Sequence, residues 1–343
     1  MPAYTHERCI TPEENPTMKR RDILSTSAAL TTLAVVPSLF AQTAASSQPI
    51  RLIVPFQAGG SSDALGRVIA KKMKPVWPQT VVVENRPGGG GVVAVQALLA
   101  APRDGNTLLL NVVQTILRPI LFPQTAYNVQ ADLAPVTRIG NSQITFVVRS
   151  DLPVNNMREF VAYANAPGRS PTFGASGAGS VGHLYAEMIK KNHVPSMVIA
   201  QLRGDAQIMS DLLGGHITCS LMALPSISQH VSAGKIKVLA ITGTSRSAVL
   251  PNVPTFIESG FPDMDTGFWF ALFAASGTPA SRLERLHADL VATLGKDKEF
   301  LDWLDALGTV QEWSKPADFA NDLRKESAKW ASFVAASGVK VEQ

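Results

Sequence analysis

From residue 49 onward, short apolar runs alternate with segments whose apolar residues recur at helical spacing. Residues 51–55, 80–84 and 107–111 are leucine-rich or β-branched and predict strands; 63–74 and 91–101 between them predict helices. The rhythm resumes with strands at 172–174, 197–200, 218–222 and 237–242, and helices at 181–191, 205–213 and 225–233. Strands that alternate with helices of this length imply βαβ units. Apolar runs without polar alternation imply parallel sheets covered on both faces. The fold class is therefore α/β with parallel-type sheets.

Two longer apolar runs, 144–149 and 268–273, lack the same βα framing and read as crossover strands between two lobes. Residues 49–146 plus 275–343 are then lobe one, and 147–274 lobe two. Beyond the second crossover the pattern is helical. Residues 279–294 open on a proline. Residues 316–337 place Phe319, Leu323, Trp330, Phe333 and Val334 on one face, with Gly338 as C-cap. These helices are expected to return and cover lobe one.

The N-terminus changes the picture of where this fold works. Met18-Lys19-Arg20-Arg21 is followed by an uncharged apolar run over 23–39 and a small residue at Ala41. That is the layout of a secretory signal peptide cleaved before Gln42, so 1–41 is read as extension plus signal. The apolar run is too short to span a membrane. Arg20-Arg21 with Ile23 and Leu24 resembles a twin-arginine signal, although an ordinary basic leader reads the same way. Residues 1–17 match neither signal nor fold, and Met18 is a candidate start. Cys9 precedes the signal, leaving Cys219 alone in the mature chain, where it cannot form an internal disulfide. The expected compartment is the periplasm. Net charge is +4, which suits anionic ligands, and no basic run with interleaved aromatics argues for nucleic acid.

Candidate chemistry lies in three strand-to-helix turns rich in glycine and small polar residues. They are Phe56-Gln-Ala-Gly-Gly-Ser-Ser-Asp63, Gly174-Ala-Ser-Gly-Ala-Gly-Ser-Val-Gly182 and Leu202-Arg-Gly-Asp-Ala206. In a parallel sheet such turns sit at the carboxyl edge, where ligands bind, and each leads into a helix N-terminus that attracts anions. Asp63 and Asp205 also suit N-cap or first-turn positions, and Arg203 also suits a surface charge. Phe56, Phe173 and Trp269 suit core packing as well as a cleft wall. Catalytic sets are incomplete. The first turn lacks a phosphate-loop Lys and the dinucleotide glycine spacing. Ser176 sits in a near nucleophile elbow whose closing residue is Ala178. His183 and Glu187, one helical turn apart, lack an evident third metal ligand. No cofactor or metal is expected. A periplasmic hydrolase or lyase acting on a carboxylate is the alternative to a binding protein.

Several motifs then stand together: Pro49-Ile-Arg-Leu-Ile-Val-Pro-Phe56, Gly59-Gly60-x-x-Asp63, Val82-Val-Glu-Asn-Arg-Pro-Gly88 and Asp104-Gly-x-Thr-Leu-Leu-Leu110. Further on come Asp211-Leu-Leu-Gly-Gly215, Leu250-Pro-x-Val-Pro-Thr255 and Phe273-Ala-Ala-Ser-Gly-Thr-Pro279. From about residue 49 to 340 the chain resembles the tripartite tricarboxylate transporter substrate-binding proteins, the Bug family. The resemblance implies a Venus-flytrap periplasmic binding protein, not an enzyme, that holds a mono- or dicarboxylate largely through backbone N–H groups. It also implies delivery to a membrane permease of one large and one small subunit, and a monomer is expected. Carried over, Gly59, Gly60, Ser61, Ser62 and Asp63 hold one carboxylate. Ser176, Gly177 and Ser180 with Arg203, Gly204, Asp205 and Ala206 hold the other end, and Phe56 and Trp269 wall the cleft. Gly60 is expected to need close backbone approach or a positive φ. The chain departs from the family pattern at Gln57-Ala58 and at Gln201-Leu202-Arg203-Gly204-Asp205.

Overall fold

The computed structural model describes residues 48–265 and 267–339. Residues 1–41, read from sequence as an extension and signal peptide, lie outside the described residues. In chain order the elements are β1 (Ile50–Val54), α1 (Ser61–Lys72), β2 (Val81–Asn85), α2 (Val92–Leu99), β3 (Thr107–Val112) and α3 (Gln114–Leu121). Then follow the single turn α4 (Val129–Asp132), β4 (Leu133–Ser142), β5 (Ile144–Arg149), α5 (Met157–Ala164), β6 (Thr172–Ala175), α6 (Val181–Asn192) and β7 (Val198–Gln201). The remainder is α7 (Asp205–Leu213), β8 (Cys219–Ala223), α8 (Leu224–Ser232), β9 (Ile236–Ile241), β10 (Phe268–Ala275), α9 (Ala280–Leu294), α10 (Lys298–Ala306), β11 (Thr309–Gln311) and α11 (Pro316–Ser337).

Two sheets result, ordered β11-β4-β10-β3-β1-β2 and β7-β6-β8-β5-β9. β1 lies between β2 and β3, parallel to both, with Leu52 level with Val83 and Leu108. All six residues of β3 are buried, which explains its unbroken apolar run. Leu108, Leu110 and Val112 pack towards the cluster holding Leu65, Ile69, Leu286 and Leu290 from α1 and α9. Leu109 packs with Ala94, Leu98 and Ile116 in the cluster built from α2 and α3.

The sheets are mixed rather than parallel throughout. β10 runs antiparallel to β3 and β4, and β5 antiparallel to β8 and β9, because these strands arrive from the other sheet and not through a βα crossover. The chain changes sheets at Gln143, between β4 and β5, and again between β9 and β10. Residues 268–274, assigned above to lobe two, therefore pair in the first sheet. β4 has no apolar alternation in its sequence. It forms because β10 and β11 pair with its two sides, and β11 comes so close that a Cβ at Gly140 would sit 2.5 Å from the Val310 carbonyl oxygen.

α11 buries Phe319, Leu323, Trp330 and Phe333. Its first half lies on the first sheet, with Phe319 against Trp269 and Phe273. Its second half stacks Trp330 and Phe333 on Tyr185 of α6. The helix expected to cover lobe one thus also grips a helix of the second sheet, and Gly338 ends it in the left-handed conformation.

Candidate functional site

The first turn leaves the carboxyl end of β1, and its tip, Gln57 to Ser61, is exposed. Gly60 is the N-cap of α1 and Asp63 its third residue, so Asp63 is a first-turn acid and not the cap. Asp63 is buried and turned inward. Its carboxylate accepts the Gly59 N–H at 2.9 Å, Arg67 Nε at 2.9 Å and Asn85 Nδ2 at 3.0 Å. The Arg67 guanidinium, then the Gly59 N–H, pull the carboxyl down to about 2. Asn85 also donates to the Phe56 carbonyl at 3.1 Å, which ties the turn to the end of β2. With its charge satisfied by these three donors, Asp63 fixes the turn at the start of α1. The first intrahelical bond is Ala64 N–H to Gly60 O, so the amides of Ser61, Ser62 and Asp63 have no intrahelical acceptor.

The glycine geometry differs from expectation. Gly59 has the positive φ, at 90°, whereas Gly60 is extended at φ −82°, ψ 173°. A Cβ on Gly60 would meet only the Gln57 carbonyl, at 3.8 Å. Any demand for glycine at 60 is therefore access from outside and not backbone strain.

In the second sheet, β6 and β7 are parallel neighbours with Ala175 level with Gln201, and Leu202 N–H donates to Ala175 O at 2.8 Å. Their turns therefore leave the same edge side by side. Ser176 is exposed, and Ser180 caps α6 by accepting the His183 N–H at 3.1 Å. His183 Nδ1 accepts the Gly179 N–H at 3.0 Å, which puts the ring proton on Nε2, 3.6 Å from Glu187 Oε1. Burial lowers the pKa of His183, so the neutral ring braces the turn and both nitrogens are engaged. Gly204 caps α7 at φ 131°. The Arg203 N–H is taken by Gln207 Oε1 at 3.0 Å, and its side chain is exposed. Asp205, the first residue of α7, accepts the Ser226 hydroxyl of α8 at 2.5 Å.

Asn85 and Ser226 were not singled out from sequence. Asn85 lies within the Val82–Gly88 motif, the one available signal. Of the aromatics, Phe56 is half-buried, and Phe173 is core, 6.2 Å from Phe146. Trp269 is 1% exposed and does not wall an open cleft: its indole N–H donates to Glu326 Oε1 at 2.7 Å under α11. Cys219 is buried in β8, and burial pushes its thiol pKa up.

No residue of these turns lines a further cavity, of about 420 Å3. Its walls are the two sheet-to-sheet connections, around Ser142-Gln143 and Thr242 to Ser245, and the α11 face carrying Lys325 and Glu326. Sequence reasoning offered no signal for it.

The comparisons with known proteins agree with this architecture. Residues 65–339 match the family model described as "Tripartite tricarboxylate transporter family receptor". Protein BugT of Bordetella pertussis is 30% identical over 298 residues, covering 86% of this chain and 91% of that protein. Among solved structures, the periplasmic binding protein BugD is 28% identical with a TM-score of 0.72, covering 86% of this chain and 99% of that one. Rpa4515 of R. palustris, solved with adipate, is 28% identical with a TM-score of 0.75 over the same shares. MatC of Rhodopseudomonas palustris, solved with bound malate, is 25% identical with a TM-score of 0.70, over 83% and 98%. By sequence and by its two-lobe fold, this chain is a solute-binding protein, not an enzyme, and it belongs to the tripartite tricarboxylate transporter receptor family.

Proposed function

We propose that the protein captures a small organic mono- or dicarboxylate between its lobes and delivers it to a membrane permease of one large and one small subunit. It does so as a periplasmic monomer, exported on a leader cleaved near Gln42. The carrying observation is the first turn: Asp63 is neutralised from within while the amides of Ser61, Ser62 and Asp63 stand ahead of the α1 ladder. Those donors, with the helix dipole, favour a carboxylate. The amides of Val181 and Gly182 and of Asp205 and Ala206 supply the other end, and Arg203 adds charge. Trp269 takes no part. The adipate of Rpa4515 and the malate of MatC support the ligand class.

Calorimetry on variants tests this reading. Gly60→Val adds bulk over the first amides at a φ that valine tolerates, so binding is abolished with the fold intact. Ser62→Ala costs at most about tenfold in Kd, or roughly 1.4 kcal/mol. Arg203→Ala weakens binding several-fold, and the loss shrinks at high salt. Parent-like binding by Gly60→Val removes the anion from the first turn. Mass spectrometry of periplasmic protein is expected to find an N-terminus near Gln42; a mature chain retaining Met1 to Arg21 contradicts export.

A further inference from the structure

Both connections between the sheets line the cavity of about 420 Å3: Ser142 and Gln143 in the first, and Thr242 to Ser245 with Asp265 and Gly267 in the second. The facing wall is α11, where Asp322, Lys325, Glu326 and Lys329 stand at helical spacing with alternating sign. The charges close in pairs: Arg138 with Glu326 at 2.8 Å, Lys325 with Asp322 at 3.9 Å, and Lys329 with Asp265. Three cations and three anions make the lining net neutral. Arg138 is only 9% exposed and lines the cavity beside its partner Glu326. None of the three turns assigned to carboxylate contributes to the lining.

We propose that this cavity is a second binding site, for a small net-neutral zwitterion, and that its occupation changes affinity at the interlobe cleft. Against a lining of zero net charge, a ligand with a net charge of its own finds no surplus counter-charge for the water that it gives up. A zwitterion sets its carboxylate towards Lys325 and Lys329 and its ammonium towards Asp265 and Asp322. Ser142, Thr242 and Thr244 supply neutral hydrogen bonds. The volume falls within the range of small-ligand sites, about 300–1,000 Å3. Coupling follows from position. Lobe movement turns about the two connections, so the cavity changes shape with it, and a ligand that prefers one shape shifts the population. The site does not rest on the cleft reading; the coupling does.

The test uses glutamine and serine as net-neutral probes and glutamate and lysine as charged ones, titrated calorimetrically into the mature protein. Thr244 is exposed, so Thr244→Trp fills the mouth of the cavity without touching the core. The neutral probes are expected to bind wild type and Gly60→Val alike, and Thr244→Trp at least tenfold more weakly; the charged probes also bind wild type at least tenfold more weakly. Neutral binding lost in Gly60→Val but kept in Thr244→Trp overturns the site, as does no saturable binding of either neutral probe or equal binding of the charged ones. For the coupling, saturating glutamine is expected to shift malate affinity fivefold or more. Unchanged malate affinity overturns the coupling. If malate fails to bind with or without glutamine, the cleft reading fails, and the glutamine titration still decides the second site.

Discussion

Asp63 shows how one side chain organises the turn proposed to hold the carboxylate. Its carboxylate gathers Gly59, Arg67 and Asn85, so Asp63→Asn loses a charge-assisted bond to Arg67 and loosens the loop. The expected cost is roughly 1.5–3 kcal/mol, read from urea unfolding. Because the folded carboxyl lies near 2, below its ordinary 3.8, its contribution is complete above pH 4 and is lost as pH falls from about 4 to about 2. Glu84, held down to about 2 first by Arg51 and also by Arg86, adds to the same acid limb. Wild-type stability is therefore expected to fall steeply over that window and that of Asp63→Asn less so; parallel pH profiles would contradict the assignment. Asp205 behaves differently, since it places a carboxylate at the helix start proposed to face the ligand. Asp205→Asn is expected to tighten carboxylate binding several-fold by calorimetry, and weaker binding would make Asp205 a contact. Both acids were legible as first-turn residues. Asn85 was not, because its partner lies 22 residues away. Trp269 reads alike as core or cleft wall until Glu326, 57 residues on, takes its indole N–H.

Among the elements, the βα units were legible because each carries its own period, and the apolar run of β3 announces a strand buried on both faces. β4 was not legible. Pro135, Arg138, Gly140 and Asn141 interrupt any run, and its conformation comes from β10 and β11 on either side. α11 was visible as an amphipathic helix, but its second grip was not, since nothing local identifies Tyr185 as the partner of Trp330 and Phe333. Trp330 is 2% exposed, so Trp330→Ala is expected to cost roughly 3–5 kcal/mol as a lower urea midpoint. A loss under about 1 kcal/mol would mean that the two halves hold together without the clasp. Glu326 answers to opposing forces: burial raises its pKa while Arg138 and the Trp269 indole N–H lower it. Glu326→Gln leaves the Arg138 guanidinium with Glu312 at 3.8 Å and is expected to cost roughly 3 kcal/mol.

At the scale of the molecule, two sheets joined by two connections give a frame in which ligand edges can approach and separate. The antiparallel strands β10 and β5, set apart in the sequence as crossover strands, are what seat those connections at the same sheet edges as the three turns. A ligand that bridges both edges favours the closed form, so small-angle scattering is expected to show a more compact particle with carboxylate than without. Binding to the folded state alone also raises stability, by about 2.7 kcal/mol at a hundredfold excess over Kd. The central claim is narrower: backbone amides of the turns after β1, β6 and β7 hold the carboxylate. Amide-resolved NMR addresses it most directly, with the carboxylate that raises thermal stability most among aliphatic and aromatic candidates. Saturable shifts are predicted at Ser61 to Asp63, at Val181 and Gly182, and at Asp205 and Ala206. Saturable shifts that spare all three helix starts, or that gather instead around Arg138, Ser142 and Thr242, would contradict it.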